Sequence, residues 1–297
     1  MEDIIKIDCI DAYNKAMGFT TRHPLVAVVD TSKAVRRPVN VQLKYGVYAL
    51  FLKNGEGCKI KYGRQFYDYQ EGTIVSFAPG QVISVVDDGT KPMGALGLLF
   101  HPDLICGTSL GRNISRYTFF GYAQNEALHL SEQERDIIVD CFRKIEYELS
   151  YPVDKHSREL LCVQIEMVLD YCLRFYDRQF CTREKVNNDI LSKFESLLGD
   201  YFQSGLAEKS GLPSVKYFAD KVCLSAGYFG DLVKKETGQT AQEFIQSRIV
   251  DIAKNELLGS NDSVSEIAYR LGFQYPQHFT RLFKRETGMT PKDFRAA

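Results

Sequence analysis

Two pairs of basic residues stand near the ends of two predicted helices, where they could bind the phosphates of a nucleic acid. Cations on an exposed helix face neutralise phosphates and release counterions, and Arg or Gln on the same face can form hydrogen bonds with guanine or adenine edges. Residues three and four positions apart share one side of a helix, so each pair shares its face with polar residues that precede it. The predicted outward sets are Gly227, Gly230, Asp231, Lys234 and Lys235 in the first helix, and Gln277, Thr280, Arg281, Lys284 and Arg285 in the second.

The chain repeats itself around these two helices. Residues 234–240 read KKETGQT and residues 284–290 read KRETGMT, and Phe229 and Phe279 occupy matching positions before them. Repetition at a fixed spacing indicates one supersecondary unit that is used twice. Basic residues at the end of one helix could simply complement the helix dipole. The same arrangement in two copies behind the same turn favours DNA binding.

Each copy is predicted to consist of two helices joined by a short turn. In the second copy Ser263 and Glu266 form a capping box, and Gly272 supplies the left-handed residue that ends the first helix. In the first copy Ser214 caps one helix and Ser225 caps the next. Two short helices with a tight turn between them are typical of a helix-turn-helix, so the predicted units span about 214–238 and 263–288.

Residues 190–297 resemble the DNA-binding domain of the AraC/XylS family of bacterial transcription regulators. The resemblance implies that a long helix joins the two units, and Thr240 with Glu243 forms a capping box where that helix would begin. It also implies double-stranded DNA and RNA polymerase as partners, a homodimer, and a cupin-like N-terminal sensor domain. Ser225, Tyr228 and His278 complete the predicted DNA-binding set. The second unit carries the family pattern most densely, at residues 267–268, 271–273, 278–279, 281, 283–284, 288 and 290–291.

The first unit departs from the family pattern at its reading helix. The family usually has long polar side chains at the positions that Gly227, Gly230 and Asp231 hold here. A glycine cannot read a base edge, and an aspartate can only accept a hydrogen bond, for example from cytosine N4. Both units are therefore expected to bind DNA, but in unequal roles.

Composition favours a two-domain protein of the cytoplasm. The length of 297 residues is enough for two cores, no run of 18 apolar residues occurs, and the N-terminus lacks the basic start of a signal peptide. Eight cysteines without paired spacing indicate reduced thiols. The net charge is −1, and residues 190–297 contain 14 Lys and Arg against 13 Asp and Glu. Attraction to DNA must therefore come from the placement of charges on one face.

The predicted fold class is α+β in two domains. The first, at 1–180, is expected to be a β-barrel with flanking helices at its C-terminal end, and the family resemblance implies that it is cupin-like. A linker follows at 181–189, and an all-α domain with two helix-turn-helix units at 190–297. Short β-type segments separated by glycine turns indicate a small barrel or sandwich, and residues 71–80 resemble part of a cupin barrel. The histidine cluster of a cupin metal site is missing, so we expect neither metal, cofactor nor catalysis; His101 is expected in a turn or core. The predicted strands are 26–29, 45–53, 58–62, 73–77 and 96–100.

Two helices are predicted to close the N-terminal domain, one after a capping box at Ser131 and one over about 156–180. The second has a wide apolar stripe that could cover the barrel, contact a second subunit, or do both. The candidate dimer residues are Leu161, Ile165, Val168, Leu169 and Tyr176. The candidate effector-binding residues are Tyr48, Phe51 and Tyr67 as a pocket lining, with Arg36 and Arg37 as a clamp for a carboxylate or sugar hydroxyl, unless these arginines lie solvated on a loop.

The leading hypothesis is an effector-responsive, sequence-specific transcription regulator. The alternative is a metal-dependent cupin enzyme that carries a DNA-binding tail, which would require clustered His and Glu ligands. A structural nucleoid binder would lack base-reading residues on both helices, and Gln277 with Arg281 argues against that. Activator is the expectation that the resemblance gives, and repression stays open.

Overall fold

The computed structural model describes residues 4–36, 38, 41–53, 59–62, 65–68, 72–85, 94–123, 126–182 and 184–296. Contacts within the chain divide it into two compact units, residues 1–182 and 183–297. The division lies inside the predicted linker 181–189. A helix begins at Glu184, so residues 184–189 of that segment are helical. Polarity suggested a linker, yet the segment contains neither Pro nor Gly to stop a helix.

The strands of the first unit form two main sheets and one hairpin. The strand orders are β1-β3-β8 in one sheet, β10-β7-β4-β9-β2 in the other, and β5-β6 in the hairpin. The strand bounds are β1 Ile4–Ile7, β2 Val26–Asp30, β3 Val41–Tyr45, β4 Tyr48–Lys53, β5 Lys59–Tyr62, β6 Gln65–Asp68, β7 Thr73–Phe77, β8 Val82–Val85, β9 Ala95–Phe100 and β10 Leu128–His129.

The two main sheets share one hydrophobic core instead of closing into a barrel in the part of the chain that the structure describes. Leu43 and Tyr45 of β3 lie in the same buried cluster as Phe51 of β4 and Leu99 of β9. The predicted closed barrel is thus not found among these strands. Alternating apolar residues specify one buried face per sheet, and this pattern is the same in a sandwich and in a barrel.

Helices pack on the sheets of the first unit. Residue Ser131 starts α4 with the predicted capping box, in which its hydroxyl accepts from Glu134 N and the Glu134 carboxylate accepts from Ser131 N. His101 accepts a hydrogen bond from Asp103 N and so caps α2, which confirms a turn position. The helix bounds are α1 Ile10–Met17, α2 Pro102–Ile105, α3 Ser109–Asn113, α4 Glu132–Glu148 and α5 Ser157–Thr182.

The apolar stripe of α5 belongs to the core of its own domain. The five residues predicted for the dimer interface are between 0 and 4% exposed within a single chain. The hydroxyl of Tyr176 donates to Glu126 O, and α4 packs along α5. The prediction that these side chains contact a second subunit was therefore wrong, and covering the domain is their role. The residues are Leu161, Ile165, Val168, Leu169 and Tyr176.

The second unit is all helical and contains two aromatic clusters, one for each copy of the repeat. In the first, the ring of Phe194 lies 5.0 Å from both Phe218 and Phe229 and 5.3 Å from Phe244. In the second, Phe279, Phe283 and Phe294 follow one another at 5.8 and 5.4 Å. The helix bounds are α6 Glu184–Gln203, α7 Leu206–Ser210, α8 Val215–Lys221, α9 Ala226–Thr237, α10 Ala241–Gly259, α11 Val264–Arg270, α12 Pro276–Thr287 and α13 Pro291–Ala296.

Candidate nucleic-acid interface

The second helix-turn-helix consists of α11 and α12 with a glycine turn between them. The predicted capping box at Ser263 and Glu266 is present at the start of α11. Gly272 follows α11 with φ +91°, and Gly288 ends α12 in the left-handed region, where its N–H donates to Lys284 O. A β-carbon at Gly272 would lie 2.8 Å from Gly211 C, so only glycine fits this turn. The turn fixes where α12 begins and therefore which face it presents.

Helix α12 has one buried face and one basic face. Phe279, Leu282 and Phe283 are buried and hold the helix on the domain. Thr280 is half-buried and its hydroxyl donates to Pro276 O within the helix, so the hydroxyl proton is already used. The remaining predicted residues are exposed together on the opposite face: Gln277, His278, Arg281, Lys284 and Arg285.

Arg285 differs from its neighbours because side chains on two helices restrain it. Its guanidinium donates to Gln246 Oε1 of α10 at 2.7 Å and to Glu286 Oε1 at 2.8 Å. Arg281 and Lys284 form no ion pair among the described residues. Gln246 was absent from the sequence prediction, because nothing in the repeat marks which residue of α10 reaches α12. The structure thus separates a positioned cation from two that remain available to a ligand.

The first helix-turn-helix uses α8 and α9 in the same arrangement. The hydroxyl of Ser214 caps α8 by accepting from Tyr217 N, and Ser225 caps α9 by accepting from Tyr228 N. Between the helices Cys223 adopts φ +60°, the one non-glycine residue with positive φ in the described chain. Gly238 then ends α9 with its N–H donating to Lys234 O.

The basic face of α9 is less well supplied with side chains that could read bases. Lys234 and Lys235 are exposed, as is Gly227, whereas Gly230 and Asp231 are half-buried. Tyr228 is only 2% exposed, so its prediction as a DNA contact was wrong. It lies one turn before the buried Leu232 and extends the apolar stripe inward, a position that its amphipathic side chain had left ambiguous.

Helix α10, which joins the two helix-turn-helix motifs, contacts both of them. Helix α10 packs against α9, α11, α12 and α13. Its predicted capping box is present, with Thr240 N donating to Glu243 Oε2 at 2.8 Å. That hydrogen bond lowers the pKa of the Glu243 carboxyl, and the positive charges of Lys234 and Arg285 lower it further. One carboxylate on α10 therefore lies within the electrostatic reach of a basic residue from each reading helix.

The residues predicted to bind an effector are not gathered into one site. Phe51 is buried in the core, and Tyr48 stacks on Phe100 at a ring distance of 5.0 Å. Arg36 is exposed and its backbone N–H donates to Met17 O. Arg37 and the side chain of Tyr67 lie outside the described residues. Aromatic residues in these strands therefore serve the core, which is their commonest place.

The described residues contain neither a candidate metal site nor a helix that could span a membrane. No group of three or more His, Cys, Asp or Glu side chains there is arranged to hold a metal ion. No helix among them has the length and apolar character to cross a membrane.

Known proteins resemble this chain most clearly over its C-terminal part. Residues 218–297 match the helix-turn-helix domain family. The transcriptional activator RhaS of Citrobacter koseri is 31% identical over 140 residues, which are 47% of this chain and 45% of RhaS. The chain thus aligns with about half the length of this curated relative.

Two solved structures of regulators are also similar to part of the chain. The C-terminal domain of the response regulator yesN from Fusobacterium nucleatum is 26% identical, with a TM-score of 0.30, covering 34% of this chain and 96% of that one. An AraC-type transcriptional regulator from Chromobacterium violaceum is 21% identical, with a TM-score of 0.31, covering 37% and 91%. Scores this low support no argument about shape.

The paired helix-turn-helix units and the sequence match define the class of the C-terminal unit, a helix-turn-helix DNA-binding domain. Residues 218–297 of the chain thus form an AraC-type helix-turn-helix domain.

Proposed function

We propose that the chain is a sequence-specific transcription regulator that binds double-stranded DNA with α9 and α12 and acts in the cytoplasm. The observation that carries the proposal is the exposed face of α12. Gln277 and Arg281 project from a helix that Phe279 and Phe283 anchor in the domain, and both residue types form hydrogen bonds with base edges in the major groove.

The two helix-turn-helix motifs have different roles in DNA binding under this proposal. Lys234 and Lys235 of α9 bind phosphates, which fixes the position of the domain on the duplex. Gln277, Arg281 and Lys284 of α12 supply most of the preference for sequence. Arg285 contributes a phosphate contact from a fixed position, because Gln246 and Glu286 already hold its guanidinium.

Genomic footprinting with the purified chain tests DNA recognition directly. We expect protection of a small number of sites that share one sequence, in which the preferred bases lie in one major-groove segment. Protection of DNA without a shared sequence would instead favour a nucleoid-type binder and contradict the proposal. RNA polymerase is the expected partner at such sites, and transcription in vitro with and without the chain separates activation from repression.

We further propose that the N-terminal unit is a cupin-like domain that responds to a small-molecule effector. The presence of a separate β-rich domain with its own core supports this. Footprinting repeated across a metabolite panel tests it. A change in protection with one compound class is expected, and protection that is unchanged with every compound would argue against an effector.

A homodimer is also proposed, through the outer face of α5 instead of its buried stripe. Leu160 and Val163 are exposed there, at 47% and 56%, and Met167 continues the same face one turn further. We expect the full chain to sediment as a dimer at micromolar concentration, and Leu160→Asp with Val163→Asp to give monomers. Ile137→Asp is the control, because Ile137 is an exposed apolar residue on α4, and this variant should leave the dimer intact. A monomeric wild-type chain would exclude this interface.

A further inference from the structure

A cleft of about 310 Å³ runs along the outer edge of strand β2 in the first unit. Five consecutive residues of β2, Val26–Asp30, line it. Successive side chains of a strand point to opposite faces, so a cleft that touches all five must follow the backbone edge. Phe19 and Asn14 from the α1 region border the cleft, and Glu146 and Leu149 border it from the end of α4.

The edge of β2 that faces this cleft carries backbone groups that the sheet leaves available. Strand β2 is the last strand of its sheet and pairs only with β9 among the described strands. His101 N donates to Leu25 O, and this bond sets the alternation of the antiparallel ladder. Ala27 and Val29 therefore bond to β9, while Val26 and Val28 direct their N–H and C=O groups outward. The cleft thus has a fixed row of donors and acceptors.

A buried amide lies in the wall of the same cleft. Asn14 is 2% exposed, and its Nδ2 donates to Thr21 Oγ1 at 3.1 Å. The orientation of the amide is settled by the network, because Thr21 uses its one proton on Asp11 Oδ1 at 2.9 Å and must accept from Asn14. Asn14 Oδ1 is consequently a buried acceptor without a hydrogen-bond partner among the described residues. A buried acceptor of this kind costs stability unless something donates to it.

The charged residues of the cleft fall into one satisfied pair and two available groups. Asp30 accepts from Ser32 and pairs with Lys33 at 3.4 Å. Arg22 and Glu146 are exposed at the rim, and neither forms an ion pair with any described side chain. Among the described residues the cleft therefore offers Arg22 as an unpaired cation and Glu146 as an unpaired anion, beside a row of backbone groups and with Phe19 and Leu149 as apolar lining.

We propose that this cleft binds a free amino acid or a small zwitterion of the same type. The carboxylate would bind Arg22 and the outward N–H of Val28, and the ammonium would donate to Glu146 and to the outward carbonyl groups of β2. Opposite charges on the rim match a zwitterion, whereas the interior of a peptide strand added to β2 would be uncharged. The volume is of the size that holds small ligands. The site does not depend on the role proposed for the DNA-binding unit.

Calorimetric titration of the full chain with each common L-amino acid tests the site. At least one is expected to bind with a Kd below about 1 mM. Arg22→Ala and Glu146→Gln should each weaken it by about fivefold or more, since each removes one charge-assisted contact. Both positions are exposed, and thermal unfolding checks that the variants fold as the wild type does. Arg116→Ala, an exposed arginine away from the cleft, should leave binding unchanged.

Analogues of the amino acid that binds most tightly sharpen the test. The corresponding amine, which lacks the carboxylate, and the corresponding acid, which lacks the ammonium, are each expected to bind far more weakly. The proposal is overturned if no amino acid binds, or if binding persists unchanged in both Arg22→Ala and Glu146→Gln. Tighter binding of an end-blocked tripeptide than of any amino acid would also overturn it and assign the cleft to an added peptide strand.

Discussion

The two helix-turn-helix units have nearly the same supports and different exposed faces. Each reading helix is held by three buried apolar residues at matching positions and ends at a left-handed glycine that donates to a lysine carbonyl. The turns differ, since the first has Cys223 at φ +60° where the second has Gly272 at φ +91°. The faces differ more, with Gly227 and Asp231 in one copy against Gln277 and Arg281 in the other.

This difference separates what the fold requires from what recognition requires. The buried residues and the glycines that end the helices recur because both reading helices pack against the domain in the same way. The exposed positions have no packing role, so they can differ without cost to the fold. A unit that keeps its support and its two lysines but lacks long polar side chains is suited to hold the DNA backbone, and the other unit is suited to read bases.

The largest effect is expected at the second turn. Gly272→Ala should destabilise the C-terminal unit by at least about 3 kcal/mol, because a left-handed alanine is strained and its β-carbon would meet the backbone of Gly211 and Ala207. Chemical unfolding of the full chain measures this. Gly288 also has a left-handed φ, of +79°, but nothing lies within 4 Å of its β-carbon position, so Gly288→Ala isolates the backbone strain and should cost only about 1 kcal/mol. Equal losses in the two variants would contradict the close packing at Gly272.

Arg281→Ala should weaken binding to the preferred site by about 1–3 kcal/mol and relax the preference at one base pair. The reason is that Arg281 is exposed on the reading face and is not held by an ion pair among the described residues. Titration of the variant on the preferred site and on single-base variants of it gives both numbers. An equal loss on every sequence would make Arg281 a phosphate contact.

Lys235→Ala should weaken binding to all sequences by similar amounts and reduce the salt dependence of log K by about one unit. The first reading helix offers cations and glycines, so its contribution is electrostatic. Binding curves at several salt concentrations give the slope. Lys209→Ala, an exposed lysine on α7, is the matched control and should leave the slope unchanged.

Gln246→Ala should weaken DNA binding by only about 0.5 kcal/mol, because it releases Arg285 without removing its charge. The loss should be the same on every sequence, since a restrained Arg285 contacts phosphate. Gln242→Ala is a suitable control. Gln242 lies one turn before Gln246 on α10 and lines the same cleft as Arg285, but it forms no hydrogen bond with Arg285 in the described structure. A change in the preferred base after Gln246→Ala would move Arg285 from the backbone to a base edge.

One further small effect is expected to be a gain of stability. Cys223→Gly should stabilise the C-terminal unit by about 0.5–1 kcal/mol, because glycine relieves the left-handed strain and loses part of that gain to greater freedom in the unfolded chain. Chemical unfolding of this variant beside the wild type measures the difference. A loss of stability would show that Cys223 contributes packing that offsets its strain.

The sequence predicted the local features of the reading units well. Caps, left-handed glycines and buried stripes are specified by residues within one or two turns. The predictions of Ser225 and Ser263 as helix caps were therefore confirmed, and Gly288 ends its helix in the left-handed region. Tyr228 was assigned wrongly because a tyrosine is compatible with either face of a helix. The Gln246–Arg285 contact joins residues 39 positions apart, and nothing local encodes such a pairing.

The sequence predicted the N-terminal unit less well, for a related reason. The pattern located β2, β4, β7 and β9, but it missed β1 and α1 and all of β3 except its last residue. Strand pairing depends on long-range contacts, such as the parallel register of Ile5 with Leu43, which alternation within one strand does not specify. The sequence showed the apolar stripe of α5. Only the packed domain showed that the stripe is buried within the same chain, where α4 packs along α5.

The central claim is that one unit reads bases while the other holds phosphates, and selection from a randomised operator library tests it most directly. The wild type, Arg281→Ala and Lys235→Ala are compared at two salt concentrations. We predict that Arg281→Ala loses base preference at one position, while Lys235→Ala keeps the wild-type preferred sequence and loses affinity with a smaller salt dependence. If Lys235→Ala changes the preferred sequence and Arg281→Ala weakens all sequences evenly, the roles assigned to the two units are reversed.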